Sequence, residues 1–274
     1  MQRQRDPRIY QIATLAALVA YGASRLDLEI LLAPAAVIVA TALATQFLCT
    51  KLFSLPRFDP RSALISSLSL CLLLRTDSMS LVVGTTVIAI ASKFFLRIDG
   101  RHVFNPTNFG LVAVMASVGG IWVSPGQWGT GAFFALLLAG IGGLVIHRAS
   151  RSDVTYAFIG FYAALVVGRT LWLGDPLAIP LHHLQNGAFL LFAFFMISDP
   201  KTTPDSRAGR ILFALMVALG AGFVHFVLFE PNGFLWSLVL FAPTTPIINR
   251  LLPGERYQWC RRRPAMRLSQ RSYA

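Results

Sequence analysis

Hydrophobic residues fall in ten runs, at roughly 9–24, 28–50, 61–75, 79–97, 106–121, 129–147, 153–173, 182–197, 209–229 and 232–251. Short polar connections separate them. Most runs approach the ~20 residues a helix needs to cross ~30 Å of hydrocarbon. The pattern therefore predicts an all-α polytopic membrane protein with ten transmembrane helices. Charge tests the count. With a cytoplasmic N-terminus and alternating sides, the cytoplasmic connections hold Arg3, Arg5 and Arg8; Lys51, Arg57 and Arg61; and Lys93, Arg97 and Arg101. Arg148, Arg151, Lys201, Arg207, Arg210 and the arginines from Arg250 to Arg271 follow on the same side, leaving only Arg25, Arg75 and Arg169 opposite. Lys and Arg concentrate in cytoplasmic loops, and adding or dropping one span would scramble this partition. Both termini are thus expected in the cytoplasm, with the chain in the inner (cytoplasmic) membrane. The first run has the charge pattern of a signal peptide. It is read as a span because its removal would destroy the symmetry described next.

Two runs are short, 61–75 and 182–197, and each is the third of five. Each ends in a hydroxyl followed by an aspartate, Thr76-Asp77 and Ser198-Asp199. Each is followed by one full span and a proline junction, Phe104-Asn105-Pro106-Thr107-Asn108-Phe109-Gly110 in one half and Phe229-Glu230-Pro231-Asn232-Gly233-Phe234 in the other. A five-span repeat enters the membrane from opposite sides in its two copies. The expected organisation is a first five-helix repeat over 1–128, a second, inverted one over 129–252, and a basic cytoplasmic tail over 253–274. Short helices at equivalent places in inverted halves point to a central binding site. Asn105 is suited to cap the helix that Pro106 opens. Asn108, one turn later, should face the bundle, because an amide facing lipid would be unsatisfied.

Composition narrows the class. Of 274 residues, 55% are hydrophobic and 13% charged, against about 25% charged in soluble domains. The net charge of +12 would suggest nucleic acid in a soluble protein, but here the cytoplasmic connections account for it. Cys49, Cys71 and Cys260 lie far apart and predict neither a disulfide framework nor a metal site. No P-loop, dinucleotide fingerprint, zincin motif or nucleophile elbow is present, which argues against an autonomous enzyme. His182, His183 and His225 are not paired at matching depth as haem ligands would be.

The F-N-P-x-x-F-G junction at 104–110 and N-G-A-F-L-L-F-A-F-F-M-I-S-D-P-K-T-T at 186–203 resemble the NqrB/RnfD family. R-A-G-R-I at 207–211 and the closing P-N-G-F…P-x-I-N-R extend the likeness over roughly residues 60–252. The family consists of membrane subunits of ion-translocating Nqr and Rnf electron transport complexes. The resemblance implies two inverted five-helix repeats of urea-channel-like architecture, flavin-mediated electron transfer coupled to ion movement, and partner redox subunits within the lipid. It implies a subunit of a redox complex, with a small-solute channel or transporter on the same scaffold as the alternative. One departure is specific. Family members attach flavin mononucleotide to a threonine in an S-[G/Q]-A-T type motif. Here the connection 119–128 has no such motif, and in Asn186-Gly187-Ala188-Phe189 a phenylalanine occupies the threonine's place. Covalent flavin is therefore not expected; at most a non-covalent flavin, FMN or riboflavin, stacks on Phe189 or Phe195.

Candidate cofactor-binding residues are Asn105, Asn108, Asn186, Gly187, Phe189, Ser198, Asp199, Lys201, Thr202 and Thr203. The hydroxyls, amides and ammonium suit a phosphate or ribityl chain, and Gly187 allows close approach. Asp77, Asp199 and Glu230 are the candidates for an ion or solute path, since acidic residues at spans are functional hypotheses by default. No metal ligands, catalytic residues or nucleic-acid partner are expected.

Overall fold

In the computed structural model the described residues are 6–25, 32–124 and 152–257. The predicted span 129–147 and the arginines at 261–263 lie outside them. Each of the other nine predicted runs is helical. In chain order these are α1 (Pro7–Arg25), α2 (Leu32–Leu52), α3 (Pro60–Leu73), α4 (Met79–Phe95), α5 (Pro106–Ser117), α6 (Ser152–Leu173), α7 (Ala178–Leu184), α8 (Gly187–Leu191), α9 (Arg207–Phe226), α10 (Gly233–Phe241) and α11 (Thr245–Leu251). Helices α2, α6 and α9 are long and apolar enough to cross a membrane, and α3, α4 and the stretch from α8 to Met196 are shorter apolar helices. A multi-pass membrane protein is the architecture these helices make.

Two predicted spans are broken rather than continuous. The run 182–197 divides at Asn186, whose side-chain oxygen accepts from the amides of Ala188 and Phe189. Helix α8 then widens into a π-helical turn over Phe192–Met196. That turn changes the carbonyl register, and the Thr155 hydroxyl of α6 donates to the Ala193 carbonyl at 2.8 Å. Single π turns occur often at functional sites. The run 232–251 breaks at Pro243 and Pro246, where a 3-10 turn over Ala242–Thr244 joins α10 to α11. Proline lacks the amide hydrogen that an uninterrupted helix requires.

Local sequence also fixes the junctions. Asp59-Pro60 and Asn105-Pro106 each place a capping side chain before a proline at the first helical position. Asp99-Gly100, both at positive φ, forms the two-residue turn between β2 (Arg97–Ile98) and β3 (Arg101–His102). This is a two-residue hairpin of the Asp-Gly kind, and it positions Arg101 and His102. At the other end, β1 (Leu74–Arg75) pairs antiparallel with β4 (Trp122–Val123). Arg75, buried there, donates to the Cys71 and Leu74 carbonyls at the end of α3, a favourable place for a cation.

Packing closes two helix pairs tightly. A Cβ on Gly110 of α5 would lie 2.6 Å from the Ala89 Cβ of α4, and one on Gly233 of α10 would lie 2.5 Å from the Ala221 carbonyl oxygen of α9. Small residues at such crossings let apolar helices approach without a hydrophobic driving force. Between the pairs, the Asn108 side-chain amide of α5 donates to the Leu235 carbonyl of α10 at 3.1 Å. Asn108 is thus inside the bundle, bridging two helices.

Ion pairs gather at one end, here called the basic end. Arg101 grips Asp205 with two hydrogen bonds of 2.9 Å. Arg210 of α9 reaches Asp153 of α6, Nε lying 2.8 and 2.9 Å from its two oxygens. Arg8 pairs with Asp6 and with Asp59, and Arg61 pairs with Asp6 at 3.0 Å. These contacts tie the start of α1, the start of α3, the hairpin, the start of α6 and the segment after the π turn into one polar layer.

Candidate functional site

Beneath that layer a cavity of about 300 Å³ opens between α3 and the π turn. The two short helical runs therefore supply facing walls. From α3 come Ser62, Ser66 and Ser69, spaced four and three residues apart and so on one helix face. The Thr107 hydroxyl of α5 donates to the Ser66 carbonyl at 3.2 Å. Phe194, Phe195 and Met196 give the apolar side, and Ser198, Asp199 and Lys201 close the floor with His102, Asn105, Arg8 and Asp59. Lys93 of α4 stands behind this wall, 7% exposed, its ammonium donating to the Ser62 hydroxyl at 3.3 Å.

Asp199 organises the segment. Its carboxylate accepts from the Lys201 amide at 2.9 Å, and the His102 Nε2 lies 3.6 Å from its other oxygen. Its backbone carbonyl accepts from the Thr203 hydroxyl and from the amides of Thr202 and Thr203. Burial by itself would raise the Asp199 pKa. The contact with His102 and the Lys201 amide and charge outweigh it and hold the carboxyl below its ordinary value. Burial, followed by the nearby Arg101, Arg256 and Arg8, holds the Lys201 ammonium below its ordinary value, with the Asp199 charge opposing them.

The predicted site residues separate into groups. Asn105, Ser198, Asp199 and Lys201 line the cavity. Thr203 is fully buried and its hydroxyl is bonded to the Asp199 carbonyl, while Thr202 carries the carbonyl that Thr245 bonds at 2.9 Å. Both shape the turn. Asn108, Asn186, Gly187 and Phe189 do not line this cavity. Asn186 caps α8, and Phe189 is 2% exposed in a ring cluster with Phe158, Tyr162 and Phe234. Asp77 and Glu230 are exposed at the end of the molecule opposite the cavity.

His102, Arg8, Asp59 and the three serines are absent from the set that the sequence predicts. The serine spacing on an otherwise apolar helix was the signal available for the last. His102 and Arg8 carry none, because only the hairpin and the α1–α3 contact bring them to the cavity.

A family model described as the NQR2, RnfD, RnfE family matches residues 120–258, which include the π turn, the Asp199 segment and α9–α11. The chain belongs to the NQR2, RnfD, RnfE family. Curated relatives are named as the D component of an ion-translocating oxidoreductase complex. The protein from Erwinia tasmaniensis is 31% identical over 139 residues, and that from Citrobacter koseri 28% over 136. The one from Escherichia coli O1:K1 is 29% identical over 136 residues. Each alignment covers 50% of this chain and 36% of the relative, so this NQR2, RnfD, RnfE member matches about a third of the length of those proteins.

Proposed function

We propose that the chain is a membrane subunit of an Rnf/Nqr-type electron transport complex, in which the cavity at the basic end takes part in coupling electron transfer to ion movement. The observation that carries this reading is the match over residues 120–258 coinciding with the segment that builds the cavity floor. Its contents suit the role. Serine hydroxyls, a paired carboxylate and cations form a polar recess in an apolar bundle, where ionisable groups point to function by default.

The inverted-repeat reading draws support from recurrent pairing. Helix α2 packs on α4 and α4 on α5, while α6 packs on α9 and α9 on α10; α5 and α10 then meet. Halves over 1–128 and 129–252 would bring the two short helices together about a pseudo-two-fold axis in the membrane plane. On this reading the basic end is cytoplasmic.

For a flavin, the described residues favour Phe195 over Phe189. Phe189 offers no hydroxyl for a phosphoester and its ring is packed within the protein. Phe195, by contrast, lines the cavity beside Ser198 and Lys201. These three would hold a non-covalent flavin by its ring face and polar chain. Bound there, a flavin supplies one- and two-electron exchange. Ser198 and Lys201 orient its polar chain, and Asp199 balances the charge of Lys201.

Isolation of the tagged chain from its native membranes tests the reading. The expected result is co-isolation with other redox subunits and a dithionite-bleached flavin spectrum whose chromophore is released on denaturation. A colourless protein isolated alone would overturn it in favour of a solute channel.

A further inference from the structure

A second recess, of about 230 Å³, lies on the basic end beside the first and shares His102 and Lys201 with it. Its walls come from the β2–β3 hairpin, the Asp199 segment, α11 and the residues after it. Four cations face it, Arg101, Lys201, Arg250 and Arg256, against two carboxylates, Asp99 and Asp205. Asp205 is already taken by Arg101 in a two-point pair. The Arg256 guanidinium donates to a backbone carbonyl, that of Asp99, at 3.0 Å. Among the described residues, Lys201, Arg250 and Arg256 have no carboxylate within ion-pair distance. Three cations that no carboxylate contacts directly repel one another, and Arg101, Arg256 and Arg8 add to burial in depressing the Lys201 pKa, with the Asp199 charge opposing them. Thr202, Thr245 and Asn249 add polar side chains to the same wall.

We propose that this recess binds a phosphate group, held by Lys201, Arg250 and Arg256. Guanidinium and phosphate match in geometry as well as charge. The recess sits where apolar helices end in a basic layer, the position at which pockets between membrane helices take phospholipid headgroups. The same chemistry would accept free phosphate. The recess shares Lys201 with the cavity proposed to take flavin, whereas Arg250 and Arg256 belong to the recess alone, so flavin-free probes and the Arg256 variant separate its failure from failure of that reading.

The test uses the purified full chain in neutral detergent, with its thermal midpoint followed during titration. The probes are phosphatidylglycerol mixed micelles, phosphatidylcholine micelles, and sodium phosphate against sodium chloride at equal ionic strength. Stabilisation by phosphatidylglycerol without phosphatidylcholine supports a lipid phosphate. Stabilisation by sodium phosphate beyond chloride supports a free one. Lys201→Gln and Arg256→Gln should each weaken the effective probe about ten-fold, the size of one charge-assisted hydrogen bond. Arg169→Gln, whose guanidinium lies over the Phe226 ring at the opposite end, should leave binding unchanged and controls for general charge loss. Equal response to every probe overturns the proposal. So does an unaltered response in the Lys201→Gln/Arg256→Gln double variant with native helix content by circular dichroism.

Discussion

The two short helical runs end in the same pair of residue types, yet their aspartates live in different surroundings. Asp77 follows α3 at the end sealed by the β1–β4 pairing. There Thr76 donates to the Gly120 carbonyl at 2.8 Å and Asp77 itself stays exposed. Asp199 follows the π turn at the basic end, enclosed by the hairpin that carries His102. The connections across each end explain the contrast. Residues 96–105 between α4 and α5 are long enough for a hairpin that folds back over Asp199. Residues 227–232 between α9 and α10 are fewer and include no histidine. A shared motif therefore became a cavity floor only where a neighbouring loop supplied charge and cover.

The largest expected effect breaks the basic end itself. Arg210→Gln removes the partner of Asp153, leaving a carboxylate whose side chain is 18% exposed. Removing one member of a buried pair costs about 3–5 kcal/mol. Unfolding of the purified protein in graded denaturant should show that loss, and a change within about 0.5 kcal/mol would mean the ion-pair layer is not holding α6 to α9.

Acid should reveal the surroundings of Asp199 next. Asp199 is held below the ordinary carboxylate value in the folded chain, so its stabilising contribution is complete above the unfolded pKa of about 4. That contribution is lost as pH falls through the lowered folded value. Asp199→Asn should flatten the acid limb of the stability profile. Thermal midpoints of wild type and variant between pH 3 and pH 7 measure this, and matching profiles would contradict it.

A smaller effect belongs to the contact between the helix pairs. Asn108→Ala removes the bond to the Leu235 carbonyl, and interhelical hydrogen bonds in membranes are worth about 0.6–2 kcal/mol. The Asn108 side-chain oxygen is buried with no hydrogen-bond partner among the described residues, which lowers what the residue contributes. A loss of about 1 kcal/mol, with the cavity variants unaffected in their relative order, would separate this packing role from the chemistry at Asp199.

Much of the helical layout was legible in the sequence because it follows from hydrophobic run length and from where Lys and Arg fall. Asn105-Pro106 is readable as a helix start from its capping side chain and proline, whereas Asn186 lies inside a predicted run, reads as a candidate ligand, and proves to cap α8. The breaks were harder. A π turn within Phe192–Met196 leaves no mark in an apolar run, and the hydroxyl that meets its Ala193 carbonyl, that of Thr155, is on another helix. Asn108 was expected inside the bundle, and the structure puts it there, but its partner on α10 is distant in sequence. The site was half legible. Ser198, Asp199 and Lys201 stood out as polar residues beside a short helix, while His102 and Arg8 arrive through tertiary contacts that no spacing announces. The threonines read as candidate ligands prove to be the framework of the turn.

On the proposed reading, Asp199, and not Asp77, takes part in coupling electron transfer to ion movement. Reductant-driven ion uptake by everted membrane vesicles tests this directly, comparing wild type, Asp199→Asn and Asp77→Asn at equal levels of folded protein. Loss of uptake in Asp199→Asn with uptake near the wild-type rate in Asp77→Asn is the predicted result. Equal uptake in all three, or loss confined to Asp77→Asn, would contradict it.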